Sequence, residues 1–140
     1  MHKVIKKFAV LALLSSALPL FAQQQQPLTP EEQQQQMYEL IDKQIEEYEN
    51  TLELSSEQVF FVDSILTHDY FAMTRELSEL TKRKVSFTDA YIEIQDKWYE
   101  AIYNAFQKLL TPEQWQKYLK TGGLKDKKAR DKRALKRNNH

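Results

Sequence analysis

The chain has 140 residues, with 20 basic and 20 acidic side chains, two glycines and no cysteine. That length suits one ordinary domain held by packing and not by disulfides, and the scarcity of glycine argues against phosphate-binding loops and a turn-rich β architecture. Formal neutrality hides an asymmetry: residues 23–124 carry 18 acidic against 9 basic side chains, whereas residues 125–140 carry 8 basic against 2 acidic, so an acidic body precedes a basic tail.

In chain order, the first feature is export-like. Lys3, Lys6 and Lys7 precede an apolar run at residues 8–22, shorter than the roughly 20 apolar residues that span a bilayer. Residues 1–22 therefore read as a signal peptide cleaved near Ala22. Leu20 is bulkier than the side chain usual three residues before such a cut, which leaves a neighbouring cut open. The expected location is periplasmic, and with no cysteine no lipid-modified cysteine is expected to tether the mature chain. Residues 23–28 read as a disordered polar leader.

The domain is expected over residues 29–124 and is all-α. Thr29-Pro30-Glu31-Glu32 supplies a cap, a proline for the first helical position and acids for the first turn. Met37, Ile41, Ile45, Tyr48 and Leu52 then form one apolar stripe. A second helix is predicted from Ser55 to about Lys84, with Val59, Val62, Leu66, Tyr70, Met73, Leu77 and Leu80 on one face. At 1.5 Å per residue it measures about 45 Å, which predicts an elongated molecule. The third runs from Ser86 or Thr88 to Leu109, with Tyr91, Ile94, Trp98, Ile102, Ala105 and Leu109 as its stripe. The short link "RKVSF" suits an antiparallel helical hairpin. A fourth helix begins at Thr111 and is expected to fray at Gly122-Gly123. Residues 125–140 then read as a solvated basic tail, whose functional reading is contact with an anionic membrane surface or an acidic protein. The tail lacks the interleaved aromatics of a single-strand binder, and no nucleic-acid partner is expected.

Two stretches repeat one pattern. In "LTPEQW" Thr111 caps free amides, Pro112 sits where no donor is needed, Gln114 can return a hydrogen bond to the cap, and Leu110 can staple against Trp115. In "LSSEQV" Leu54, Ser55, Gln58 and Val59 take the same parts, and "LTPEEQ" from Leu28 follows more loosely. Two copies of L-[ST]-x-x-Q flanking a long helical hairpin resemble the Spy/CpxP family of periplasmic helical proteins, whose signature is a pair of LTxxQ motifs. Leu54, Ser55 and Gln58 match the first with Ser for Thr, and Leu110, Thr111 and Gln114 match the second outright.

The resemblance implies a four-helix, elongated hairpin protomer pairing into a thin antiparallel homodimer. It also implies ATP-independent binding of unfolded or partly folded proteins, or restraint of an envelope-stress sensor kinase. The alternative is a structural or regulatory module specific for one envelope partner. The client-facing surface of such relatives is basic and apolar, whereas this body is acidic, with Lys82, Arg83 and Lys84 its only basic cluster.

Some apolar side chains fall outside the main stripes. Phe60 and Phe71 lie about 100° to 120° from Val59, and Ile92, Tyr99, Tyr103 and Phe106 form a second stripe on the third helix. These six are candidates for a client surface or a dimer seam, and equally for a wider core. His68 is the body's one histidine and has Ser64 and Ala72 a turn away instead of a second ligand. Glu31-Glu32 and Glu46-Glu47 read as first-turn and solvent-face charges. No catalytic, cofactor or metal site is expected, and the chain is not read as an enzyme.

Overall fold

A computed structural model describes residues 26–140; the expected signal peptide, residues 1–22, lies outside the described residues. The described part is all-α: α1 (Pro30–Leu52), α2 (Ser56–Lys82), α3 (Thr88–Leu109), α4 (Pro112–Tyr118), a wider π-type turn (Leu119–Gly123) and α5 (Leu124–Asn138).

Each helix boundary has a local cause. Before α1, the Thr29 hydroxyl accepts from the Glu32 amide at 3.2 Å, and the Glu32 carboxylate accepts from the Thr29 amide at 2.8 Å. This reciprocal box occupies two of the donors that a helix start leaves free. The helix stops because Glu53 turns left-handed, with φ 54°, and the Leu54 amide reaches back to the Glu49 carbonyl. α2 ends the same way: Lys84 has φ 55°, its amide bonds to the Thr81 carbonyl, and the Val85 amide bonds to the Leu80 carbonyl. Both are Schellman stops, with a charged residue where glycine is the usual choice. α3 starts at Thr88 without a side-chain cap, and the Tyr91 hydroxyl donating to the Val85 carbonyl at 2.7 Å ties down the link before it.

The core is formed by Ile41 and Leu52 of α1, Val62, Leu66, Tyr70 and Met73 of α2, Ile102 and Phe106 of α3, and the link residues Leu54 and Leu110. The stripes expected for α1 and α2 supply these contacts. α3 differs: Phe106 is fully buried, while Tyr91, Ile94, Trp98, Ala105 and Leu109 are half-buried. The helix is rotated toward Ile102 and Phe106 because rings from two other helices, Tyr48 and Tyr118, pack on Phe106 at 5.2 and 5.4 Å between centroids. Phe106 as part of a client or dimer surface is thereby corrected.

The basic tail also departs from expectation. Gly122 adopts φ 124°, a conformation costly for a side chain with a Cβ, and redirects the chain instead of ending its helical course. Gly123 packs so closely on Tyr118 that a Cβ there would lie 2.7 Å from the ring. α5 then docks on α3 by charge. Arg133 forks onto buried Asp96 through Nε at 2.9 Å and Nη2 at 2.7 Å, with Arg137 at 3.4 Å. Glu100 accepts from Arg130 Nε at 3.0 Å and Lys127 Nζ at 2.6 Å. The hydrogen bonds from Arg133 hold the Asp96 carboxyl below its ordinary range. α5 is thus a docked helix and not a solvated extension, since four of its eight cations find carboxylates on α3, 27 to 41 residues back along the chain.

Lys84→Gly is expected to raise stability by about 0.5–1 kcal/mol, because glycine relieves the left-handed strain at a stop whose hydrogen bonds involve only backbone. Urea unfolding of the two chains checks this; an unchanged or lower midpoint would mean that Lys84 bears no strain.

Candidate functional site

The two L-[ST]-x-x-Q motifs fold identically. The Ser55 hydroxyl accepts from the Gln58 amide at 3.2 Å and the Ser55 amide donates to Gln58 Oε1 at 3.0 Å. Thr111 and Gln114 repeat both bonds at the same two distances. The leucines that open the motifs, Leu54 and Leu110, are buried, and the staple partners Val59 and Trp115 pack half-buried against the core they join.

The structure brings the two motifs into contact. Gln58 Nε2 donates to Gln114 Oε1 at 2.7 Å, and Gln114 Nε2 donates to Gln58 Oε1 at 2.9 Å. Each carboxamide oxygen therefore accepts twice, once from its own cap and once from the opposite side chain. Only an amide can do both: glutamate would close its own box but has no N–H to offer across. The box before α1 has Glu32 at the equivalent position and makes no such pair among the described residues. Around the clasp, Lys117 Nζ meets the Glu53 carboxylate at 3.1 Å, and Gln114 Nε2 approaches the Glu53 carbonyl at 3.4 Å. The α1–α2 link is thereby held to α4.

The candidate surface residues divide into three groups. Phe106 is core. Phe71 is half-buried against Tyr38 at 5.1 Å, Tyr103 is half-buried against Trp115 at 4.9 Å, and Ile92 is half-buried. Phe60 and Tyr99 remain open at 65% and 41% exposure, Tyr99 edge-on to Tyr70 at 6.3 Å. Phe61 joins Phe60 edge to face at 5.6 Å and is 43% exposed. Sequence reasoning missed Phe61, although adjacent rings on one helix point about 100° apart and cannot share the core stripe. Phe87, 77% exposed just before α3, was missed as well because it falls in the link between two helices and on neither stripe.

Gln44, Tyr48, Tyr70, Tyr99, Tyr118, Arg130 and Arg133 line a cleft of about 440 Å³, in which the Tyr70 hydroxyl donates to Gln44 Oε1 at 2.6 Å. Burial pushes the Tyr48 and Tyr70 phenols far above their ordinary range and Tyr118 up to about 12. All three stay neutral near pH 7, and the Tyr70 hydroxyl serves as a donor. His68 is exposed, meets Asp69 at 2.7 Å and stands edge-on to Trp98 at 6.1 Å between ring centroids. Among the described residues no group of three or more histidine, cysteine or acidic side chains is placed to hold a metal ion.

Gln58→Glu and Gln114→Glu should each destabilise by about 1 kcal/mol, since each keeps its cap and loses one donor. The double variant sets two carboxylates face to face, so its loss should exceed the sum of the singles by about 1 kcal/mol or more. That repulsion raises the folded-state pKa of the new carboxyls. The excess loss should therefore vanish below about pH 4.3, the unfolded value for glutamate, and grow as pH rises through the folded one. A double-mutant cycle from urea melts at two pH values measures it, and strict additivity would mean that the two side chains do not face each other.

No family model, no curated protein and no solved structure matches this chain.

Proposed function

We propose that the chain is an exported, ATP-independent holdase or envelope-stress adaptor of the Spy/CpxP type, binding unfolded or partly folded proteins and working as an antiparallel homodimer of helical hairpins. The observation that carries this reading is the open ring pair Phe60 and Phe61 on the side of α2 away from its core stripe. Two solvent-facing phenylalanines in contact with each other lose hydration when an apolar segment covers them, at about 25 cal/mol per Å² and without requiring one sequence. The flanking Glu57, Asp63 and Ser64 are exposed and favour a loose, reversible contact.

Two features support the architecture. Partners fall in number as positions rise: Gln58 meets Gln114, Tyr70 meets Tyr99, Glu76 meets Lys97, and Val85 meets Tyr91. That order favours an antiparallel hairpin clasped at one end by its two motifs. The open rings, including Phe87, favour a homodimer seam over part of this surface. The second reading, a module dedicated to one envelope partner such as a sensor kinase, draws on the acidic body, which suits a single basic surface better than varied clients.

Phe71 and Tyr103 contact neighbouring rings, so replacing them would test packing. Phe60→Ser with Phe61→Ser is the sharper variant. Helical content should be unchanged, and the protein concentration needed to suppress aggregation of unrelated denatured proteins should rise several-fold. Light scattering with clients of differing charge reads this, and sedimentation reports the mass. A parent chain that suppresses no client at stoichiometric concentration sinks the holdase and leaves the dedicated module. A double variant as active as the parent moves the holding surface elsewhere.

A further inference from the structure

α5 sorts its cations by type. Arg130, Arg133 and Arg137 all turn toward α3 and pair with Glu100 or Asp96, and Lys127 joins them. Lys125, Lys128, Lys132 and Lys136 are exposed, and none forms an ion pair among the described residues. At 100° per residue these four fall within about 80° of one another, about 130° round the helix from the arginines. They span about 16 Å along the axis. No acidic side chain lies in their sector: Asp126 falls on the arginine side, and Asp131 turns to Lys127 at 2.8 Å. Leu124 and Leu135, 41% and 64% exposed, border the stripe on the side away from the arginines. At its start, Leu119, Leu124 and Gly122 form an open groove of about 540 Å³ rimmed by Lys120, Lys125 and Lys128.

We infer that this outward face of α5 docks on an anionic phospholipid surface, with the lysines over the headgroups and the leucine-lined groove and Leu135 against the acyl boundary. The choice of occupant follows from residue type. Arginine's planar fork suits defined carboxylates, and this helix uses its arginines on its own α3; compact, hydrated lysine ammoniums suit a diffuse negative layer. A protein partner is disfavoured because protein interfaces are depleted in lysine and rich in arginine and aromatic rings, and this face has neither. The leucines supply the shallow apolar contact that interfacial helices make beside their basic stripe. The internal pairing matters equally: with the arginines neutralised by Asp96 and Glu100, the uncompensated charge of the helix lies on one side and gives it one orientation. The inference stands independently of the holdase reading.

The chain lacks cysteine, so Leu135→Cys or Phe87→Cys takes a polarity-sensitive fluorophore at one site in the otherwise intact protein. With phosphatidylcholine vesicles containing phosphatidylglycerol, the probe at 135 should shift to the blue, with little response to phosphatidylcholine alone, and the probe at 87 should stay unchanged. Added salt should reverse the shift. Replacing Lys125, Lys128, Lys132 and Lys136 by Gln should lower vesicle partitioning about fivefold per lysine. Thermal melts should be unaffected, since these four make no ion pair among the described residues. An equal response to neutral vesicles, or a shift at 87 as large as at 135, overturns the inference. So does saturation of the face by polyglutamate that vesicles fail to displace, which would assign it to an acidic protein.

Discussion

The reciprocal hydrogen bonds between Gln58 and Gln114 are the constraint on which the rest of this structure depends. Each glutamine sits at the third position of a helix start, where its oxygen is already committed to a backbone amide. That commitment fixes the side-chain torsions before the two amides meet, so the cross-pair forms between preorganised groups at little further entropic cost. Two helix starts separated by 56 positions become one joint. Around it lie the residues that close the core at this end: Leu54, Leu110, Leu52 and Phe106, with Trp115 and Tyr118 stacked at 5.3 Å.

The joint also explains the aromatic arrangement. With α4 held beside the α1–α2 link, Tyr118 is placed against both Tyr48 and Phe106, at 6.1 and 5.4 Å, and Trp115 covers Tyr103. The part of α3's second stripe near the joint is thereby absorbed by the chain itself. Farther along, Tyr99 remains open, and on α2 the Phe60–Phe61 pair has no ring from another helix upon it among the described residues. The open apolar surface is what the clasp and its aromatic cluster do not reach.

Charge organises the other half of the molecule. A helix as polar as α5 has little apolar surface with which to dock, and it is held chiefly by carboxylates on α3. Buried Asp96 takes a bidentate arginine, which makes removal of Arg133 costly because the carboxylate would lose its main partner in a dry site, whereas Arg133 itself is partly exposed. Lys127 and Arg130 also lie over the Tyr103 ring, at 5.7 and 5.5 Å from its centroid, linking the ionic dock to the aromatic cluster. Gly122 makes this possible, because its positive φ turns the chain so that arginines face α3 and lysines face away.

The sequence by itself determined the all-α class, the stripes of α1 and α2, and the starts at Ser55 and Thr111, since helix periodicity and capping are local and depend on residues within a turn of each other. The capping role of each L-[ST]-x-x-Q motif was legible for that reason. The pairing of the motifs was not, because a glutamine that closes a box reads the same whether or not another amide waits opposite. Tertiary structure likewise decided the rotation of α3 that buries Phe106, the exposure of Phe61 and Phe87, and the docking of the basic tail. Each depends on which side chain a distant segment presents: Tyr48 and Tyr118 to Phe106, and Asp96 to Arg133. Local pattern constrains which faces are apolar or charged, and only the meeting of those faces in space decides which are covered.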